Sequence, residues 1–483
     1  MRPAPFPPIV MPMPTILWFR NDLRLDDNPA LRDVLDSGDV PICVYISAPR
    51  EEGDWAPGAA SNAWRDKSLR ALDADLRARG SRLRFFHGPT LPTLRSLVAT
   101  TGATAVRWNR RYDPASEVRD AKVKKALLRD GVDAQSCNGA LLAEPWTLAT
   151  KSGTPFRVFT PFWKSLLAQW QDTPTWDAPE SIGDVENAPE GVAIEALCLA
   201  STRDWDTGFW THFQPGEAGA REALDVFRDG ALRGYDTSRN RPDQVGTSQL
   251  SPHLHFGEIA PWRVASVVQA MRGVANANDI DSYVRELGWR EFGHYLLHHF
   301  PETPHSDFSP AFASFKWARP DATDLLAWQR GCTGVPIVDA GMRQLWHTGW
   351  MHNRVRMIVA SYLTKHMRMH WREGARWFWD TLVDADLANN TLGWQWVAGT
   401  GADAAPYFRV FNPVTQAQRF DPDATYITHW IPELAALPVR ARFAPWTDPA
   451  ALRALGIDYP STPLVDLDAG RDAALAAFRQ RRD

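Results

Sequence analysis

The sequence predicts two packed units: an N-terminal α/β domain with a doubly wound parallel sheet, then an all-helical domain. Three observations carry this. Short apolar runs alternate with amphipathic segments from Thr15 to about residue 140. A stretch from about 141 to 215 is rich in proline, glycine and acidic residues. Beyond it, to about residue 435, long segments repeat apolar residues every 3.6 positions with almost no β-branched alternation. A chain of 483 residues also exceeds one ordinary core, so two domains, or three, are expected.

In chain order, residues 1–14 come first. "MRPAPFPPIVMPMP" places proline where a signal peptide needs an unbroken apolar run, so it reads as a disordered lead-in, with Met11 or Met13 open as the natural start. The candidate strands are "TILWFR", "PICVYI", "LRFFHG" and "AVRWNR", and the candidate helices span about 59–79, 91–101 and 114–129. Together they make an α/β domain over 15–140. No G-x-G-x-x-G follows the first strand, which argues against a dinucleotide fingerprint. Residues 141–215 read as an interdomain connection with one helical island, "TPFRVFTPFWKSLLAQW". Residues 216–483 form the helical domain.

Composition excludes several classes. Hydrophobic residues at 44% and charged residues at 23% are globular values, and no apolar run approaches the roughly 18 residues of a membrane span. Cys43, Cys137, Cys198 and Cys332 lie far apart without a C-x-x-C, which fits reduced thiols in a cytoplasm and predicts no metal site. A net charge of −4 argues against a surface coated for nucleic acid but leaves room for a local basic patch. The 23 tryptophans are more than packing alone asks for.

Four segments of the helical half mix charge, amide and aromatic groups. "GTSQLSPHLHFGEI" (246–259) offers hydroxyls near a helix start, either an anion site or an N-cap. "ELGWREFGHYLLHHFP" (286–301) spaces Glu286, Trp289, Arg290 and Gly293 so that they can share one helical face. "TGWMHNRVRMIVASYL" (348–363) puts Asn353 and Met357 one turn apart beside Arg354 and Arg356. "DADLANNTLGWQW" (384–396) gathers two carboxylates, two amides and two indoles. Asp384 is within reach of pairing with Arg356, a costly arrangement in a core unless something nearby requires it.

With "WFRNDLRLDDNPAL" and "CTGVPIVDAGMRQLWHTGWMHNRVRM", these motifs resemble those of the DNA photolyase and cryptochrome family, from Thr15 to about Leu437. The resemblance implies FAD in the helical half and an antenna chromophore in the α/β half. Carried over by position, Tyr235, Thr247, Ser248, Leu250 and Ser251 would hold the phosphates. Asp384 and Asp386 would address the isoalloxazine and ribose, Arg356 would flank the ring, and Asn390 would face N5. Trp289 and Trp396 resemble the lesion-pocket indoles, while Trp394, Trp371 and Trp317 resemble an electron chain to the surface. Trp346, Trp377 and Trp379 are side-branch candidates or core residues.

The implied activity is light-driven repair of cyclobutane pyrimidine dimers, a carbon–carbon lyase reaction on UV-damaged DNA, single- or double-stranded, by a monomeric enzyme. Glu286 would hydrogen-bond the dimer, Asn353 would contact flavin or lesion, and Met357 would pack on the dimer. Arg290, Arg354, Lys365 and Arg409 are expected on the DNA surface. Asn353 and Met357 stand where enzymes of (6-4) repair carry histidines, and Asn390 where plant cryptochromes carry aspartate. Repair is thus favoured over a blue-light photoreceptor, with class I and class III both open. The antenna is expected to be methenyltetrahydrofolate, with 8-hydroxy-deazaflavin as the alternative. The motifs relevant to it are "GAASNAWRDKSL" (58–69) and "WNRRYDPASEV" (108–118).

Overall fold

The structure, a computed structural model, describes residues 13–170, 173–319, 321–403 and 408–481. Most of the expected lead-in, residues 1–12, lies outside the described residues, and Pro14 already begins the first strand. Five parallel strands form the sheet: β1 (Pro14–Phe19), β2 (Val40–Ser47), β3 (Arg84–His87), β4 (Ala105–Asn109) and β5 (Asp133–Cys137), in the order β3-β2-β1-β4-β5. Helices α1 (Pro29–Asp36), α2 (Ala59–Arg77), α3 (Thr90–Thr101) and α4 (Pro114–Arg129) connect them. Ile16, Leu17, Trp18 and Phe19 are all buried because both faces of a parallel sheet are covered, and their continuous apolar run is the pattern that such a strand leaves in sequence.

Two elements have no counterpart in the periodicity. β5 reads "DAQSC" and pairs only with β4; an edge strand open to solvent tolerates polar residues that would hide it from a hydrophobic scan. α1 is two turns long and is started by Asn28, whose side chain accepts from the Leu31 N–H at 3.1 Å, with Pro29 at the first helical position.

Residues 141–215 lie against both halves. α5 (Phe159–Gln169) forms where the helical island is expected, and buries Phe159, Phe162 and Leu166. Further on, Asp184 receives the fully buried Arg84 of β3 at 2.7 Å, and the Ala178 N–H donates to Asp26 at 2.6 Å.

The helical half begins with α6 (Glu217–Asp229), α7 (Tyr235–Ser238), α8 (Ser251–His255), α9 (Pro261–Ala270) and the long α10 (Ala277–His299). It continues with α11 (Ala322–Gln329), α12 (Pro336–Thr348), α13 (Asn353–Ser361), α14 (Trp371–Thr381), α15 (Leu387–Ala398) and α16 (Pro413–Phe420), and a helix over Leu467–Gln480 lies near the end. α13 runs directly into one wide turn, Tyr362–His366, of i→i+5 type. Its core gathers Trp328, Val338, Met351, Val355, Ile358, Trp371, Phe378 and Trp394. Among the described residues, no helix is long and apolar enough to cross a membrane.

The two halves are joined by buried polar contacts. Glu217 of α6 accepts from the Leu25 and Asp26 N–H groups at 2.8 and 2.9 Å, Arg24 donates to the Gly257 carbonyl at 2.8 Å, and Trp64 donates to Glu258 at 2.9 Å. At Gly257 (φ +63) a Cβ would meet the Asn21 carbonyl at 2.3 Å, so only glycine permits this approach.

Candidate functional site

Four helix ends meet around Asp384. It sits in the turn between α14 and α15, where its Oδ2 accepts from Arg356 of α13 at 2.8 Å and from the Ser251 hydroxyl of α8 at 2.6 Å. Its Oδ1 is buried and has no protein partner. His352 caps α13 by accepting the Arg354 N–H at Nδ1, 3.1 Å, which leaves the proton on Nε2; that atom too is buried and unmatched. Burial first, then Arg354 and Arg356, push its pKa down to about 3, so the ring is a neutral donor at physiological pH. A buried acceptor and a buried donor without partners, Asp384 Oδ1 and His352 Nε2, ask for a ligand carrying the complementary groups.

Asp386 caps α15, accepting from the Asn389 N–H at 2.9 Å and its side-chain amide at 2.6 Å. Its other oxygen faces His294 at 3.3 Å and His255 at 3.7 Å. Burial works to raise this carboxyl, but the two histidines outweigh it and hold it well below the ordinary value. Asn390 donates to the Ala375 carbonyl at 3.0 Å, which fixes its amide plane. One turn on, Gly393 is exposed in mid-helix and a Cβ there would meet nothing within 4 Å, so α15 borders open space at this point.

The hydroxyl segment ahead of α8 is held from behind. Ser248 accepts from the Tyr283 hydroxyl at 3.0 Å, and Thr247 is half-buried beside it. Tyr235 is buried in an aromatic group with Phe227 and Tyr283, and Arg239 lies over its ring. Leu250 turns its side chain into the core; its carbonyl accepts from the Leu254 N–H at 2.9 Å, and its own N–H points at Ser248 Oγ at 3.4 Å.

The expected shared face of α10 is divided. Glu286 pairs with Arg239 at 2.6 Å, and Trp289 stacks on Phe159 with centroids 3.7 Å apart and planes 7° from parallel. Arg290 is not on a DNA-facing surface. It reaches into the seam between the halves, donating to the Ala140 carbonyl at 2.8 Å and lying 3.1 Å from Glu291. Buried carbonyls of a turn need a donor, and a long cation beside them supplies it.

Lys365 is a second correction. It is fully buried in the wide turn after α13, where its ammonium donates to the Ala398 carbonyl and lies 3.3 Å from the Phe408 ring centroid. Burial pushes its pKa well below the usual value, so it offers no surface charge to a phosphate. Arg354 and Arg409 differ. Arg354 is half-buried over Phe420, bonded to Asn240 at 2.6 Å, and Arg239, Arg419 and Arg409 are close enough to disfavour its charge further. Arg409 and Arg419 are exposed. Guanidinium groups crowded together at a surface suit a polyanion. Asn353 is exposed and Met357 half-buried on this same α13.

The indoles fall into distinct sets. Trp394 is buried with its ring edge against Gly374, where a Cβ would come within 2.0 Å, and lies 5.0 Å from Phe378 and 6.3 Å from Trp328. Trp371 is fully buried, and His370 lies between it (5.5 Å) and Trp317 (5.0 Å), which is part-exposed. Trp396 borders a small cavity with Lys365, Ser361 and Arg409. Trp346 and Trp377 are parallel at 6.1 Å beside a cavity of about 930 Å³ that His212, His347 and His429 also line. Trp379 packs on Trp55 and donates to the Ala56 carbonyl at 2.7 Å.

A pocket of about 210 Å³ with mixed polar and apolar walls opens where the strand order reverses between β1 and β4, the crevice in which doubly wound sheets bind ligands. Asn21, Trp55, Arg110 to Ala115, His255 and His294 line it, so the motif at 108–118 supplies much of its wall. Trp64, from the motif at 58–69, is instead fully buried among Phe213, His253 and Phe256. His255 and His294, Arg239, Phe159 and Asp307 were not legible as site residues; each is defined by a partner far away in sequence.

Residues 15–180 match the family model described as DNA photolyase, and 283–480 the one described as the FAD binding domain of DNA photolyase. The chain is 45% identical to the deoxyribodipyrimidine photo-lyase of Agrobacterium fabrum, over 96% of this chain and 97% of that protein. It is 38% identical to cryptochrome-2 of Arabidopsis thaliana, over 97% of this chain and 79% of that protein. Among solved structures, a bacterial class III photolyase from Agrobacterium tumefaciens superposes with a TM-score of 0.93 at 44% identity, covering 97% of this chain and 98% of that one. The chain belongs to the photolyase and cryptochrome family.

Proposed function

We propose that this protein is a deoxyribodipyrimidine photolyase of class III that repairs cyclobutane pyrimidine dimers in DNA under blue or near-UV light. The observation that carries the flavin part is Asp384: one oxygen takes Arg356 and Ser251, and the other is buried without a partner. A flavin has N–H and ribityl hydroxyl donors for that oxygen, and acceptors for the unmatched His352 Nε2, so the residues present fit FAD. When bound and reduced, FAD supplies the light-excited electron that opens the dimer.

The chain supplies position and electrostatics. Arg356, held by Asp384 and the Met351 carbonyl, flanks the ring; Asn390, its amide fixed by Ala375, presents its oxygen to the flavin edge. Tyr235, Thr247, Ser248, the Leu250 N–H and Ser251 line the phosphate side, and Asp386 holds the start of α15. At the lesion, Trp289 and Trp396 offer stacking faces, Met357 packs on the dimer, and Asn353 and Glu286 donate or accept hydrogen bonds. Arg239 keeps the Glu286 carboxylate aimed. Arg354 and Arg409 take phosphates. Trp394, Trp371 and Trp317 relay electrons that keep the flavin reduced.

For the antenna, a methenyltetrahydrofolate is the proposed group, with 8-hydroxy-deazaflavin as the alternative, and the switch-point pocket is its candidate site. Arg110 and Arg111 line that pocket but are already paired, Arg110 with Glu144 and Arg111 with Glu52 at 2.8 Å and Asp113 at 3.0 Å, so they do not choose between the two. The protein is a monomer in this reading, and its four free cysteines fit a reducing cytoplasm.

The deciding experiment is light-dependent loss of a thymine dimer from a short single-stranded oligonucleotide, with reductant and a dark control. Loss only in the light is the expected result. A yellow, photoreducible preparation that leaves the dimer intact would move the assignment to (6-4) repair or to a cryptochrome-like photoreceptor.

A further inference from the structure

Trp371 opens α14 and is fully buried, and its Nε1 donates to Asp307 Oδ1 at 2.7 Å. Asp307 lies in the loop after α10, half-buried, with Thr400 and Arg372 as its other neighbours. Burial lifts its carboxyl above the ordinary range, and the indole bond and Arg372 pull it back only in part. Nearby indoles differ: Trp328 and Trp377 bury their Nε1 atoms with no partner. Between Trp371 and Trp317 stands His370, whose Nδ1 caps α14 through the Arg372 N–H and whose pKa is pushed down to about 4 by burial and then Arg372. The histidine is therefore neutral at physiological pH and adds no cation beside the indole.

An indole that loses an electron becomes far more acidic at Nε1, comparable to a carboxylic acid, and a carboxylate at hydrogen-bond distance is placed to take that proton. We propose that Asp307 is the proton acceptor of Trp371 in light-driven flavin reduction. Trp371 passes one electron by way of Trp394 to a photo-excited oxidised flavin. Its Nε1–H bond breaks, and the proton forms an O–H bond on Asp307. A neutral indolyl radical is left beside a neutral carboxyl, and the electron has lost the positive centre that would draw it back. An external thiolate later returns one electron by way of the part-exposed Trp317, and the carboxyl proton goes back to Nε1. Asp307 thus positions and traps rather than touching the flavin, and the inference rests on the electron-relay reading above.

Transient absorption of the flavin-loaded full chain separates the neutral indolyl radical from its cation. The wild type is expected to settle into the neutral form, more slowly in heavy water. Asp307→Asn keeps the hydrogen bond through its amide oxygen but should hold the radical as the cation, with recombination several-fold faster. Asp307→Glu should restore the neutral form. In flavin-free protein with isotope-labelled indoles, the Trp371 N–H resonance, identified by its loss in Trp371→Phe, should titrate with acid in the wild type and not in Asp307→Asn. A neutral radical on Trp371 that is unchanged in Asp307→Asn overturns the proposal and leaves the relay standing. A radical signal untouched by Trp371→Phe overturns both.

Discussion

Asp384 and Arg356 form an ion pair at 2.8 Å in which only one carboxylate oxygen is used. Breaking a largely buried pair leaves one charge stranded, which costs more than the pair itself contributes. Asp384→Ala should therefore weaken FAD binding by about 10- to 100-fold, because both the acceptor for the flavin's donors and the aim of Arg356 are lost. Flavin titration of the apoprotein checks this; unchanged affinity would remove Asp384 from the cofactor site.

Glu286 is paired with Arg239 at 2.6 Å, so its charge is oriented before any DNA arrives. Glu286→Ala should lower repair yield several-fold more than it lowers affinity for dimer-containing DNA. Parallel losses in both would make the residue a DNA anchor.

Trp371→Phe should slow photoreduction of oxidised flavin while repair by chemically reduced enzyme continues. If photoreduction is unchanged, the parallel pair Trp346 and Trp377 is the next route to disrupt.

Arg354 and Arg409 should each account for about one unit of the salt dependence of DNA affinity, so either alanine variant lowers the slope of log K against log salt by roughly 0.9. Lys365→Met should leave that slope alone, since the ammonium is buried on the Ala398 carbonyl. A slope lowered by Lys365→Met would show that this lysine reaches DNA.

His352 stays neutral in the fold down to about pH 3, while in the unfolded chain it takes a proton near 6.5. Between these values the unfolded state binds the extra proton, so this contribution to stability is full above 6.5 and is lost as the pH falls. From pH 7 to 5 the loss is about 2 kcal/mol. Urea unfolding of flavin-free protein at the two pH values measures it, and His352→Asn, which can still cap α13, should flatten the dependence.

Much was legible before any coordinates. The strand runs of 15–20, 41–46, 83–88 and 105–110 form strands because continuous apolar stretches have nowhere else to go than a covered parallel sheet. Asn28, Asp113 and Asp386 cap helices through bonds that span only three residues, although α1 itself left no periodic signal. The pairing of Arg356 with Asp384 was also anticipated, since two opposite charges in adjoining apolar segments have few other ways to be buried.

What tertiary structure alone decided lies at longer range. Arg290 and Lys365 look in sequence like any surface cation; one is drawn to the Ala140 carbonyl and the other to Ala398, because buried carbonyls left unpaired by distant turns recruit the nearest long donor. Trp289 finds Phe159 from a segment that composition marks only as a connection, and Trp371 finds Asp307 across 64 positions. The sequence by itself determined most of the elements, β5 and α1 excepted, and which segments carry the chemistry, since periodicity is local. Which side chain meets which was settled only when the chain packed, because a hydrogen bond between residues far apart leaves no local pattern to read.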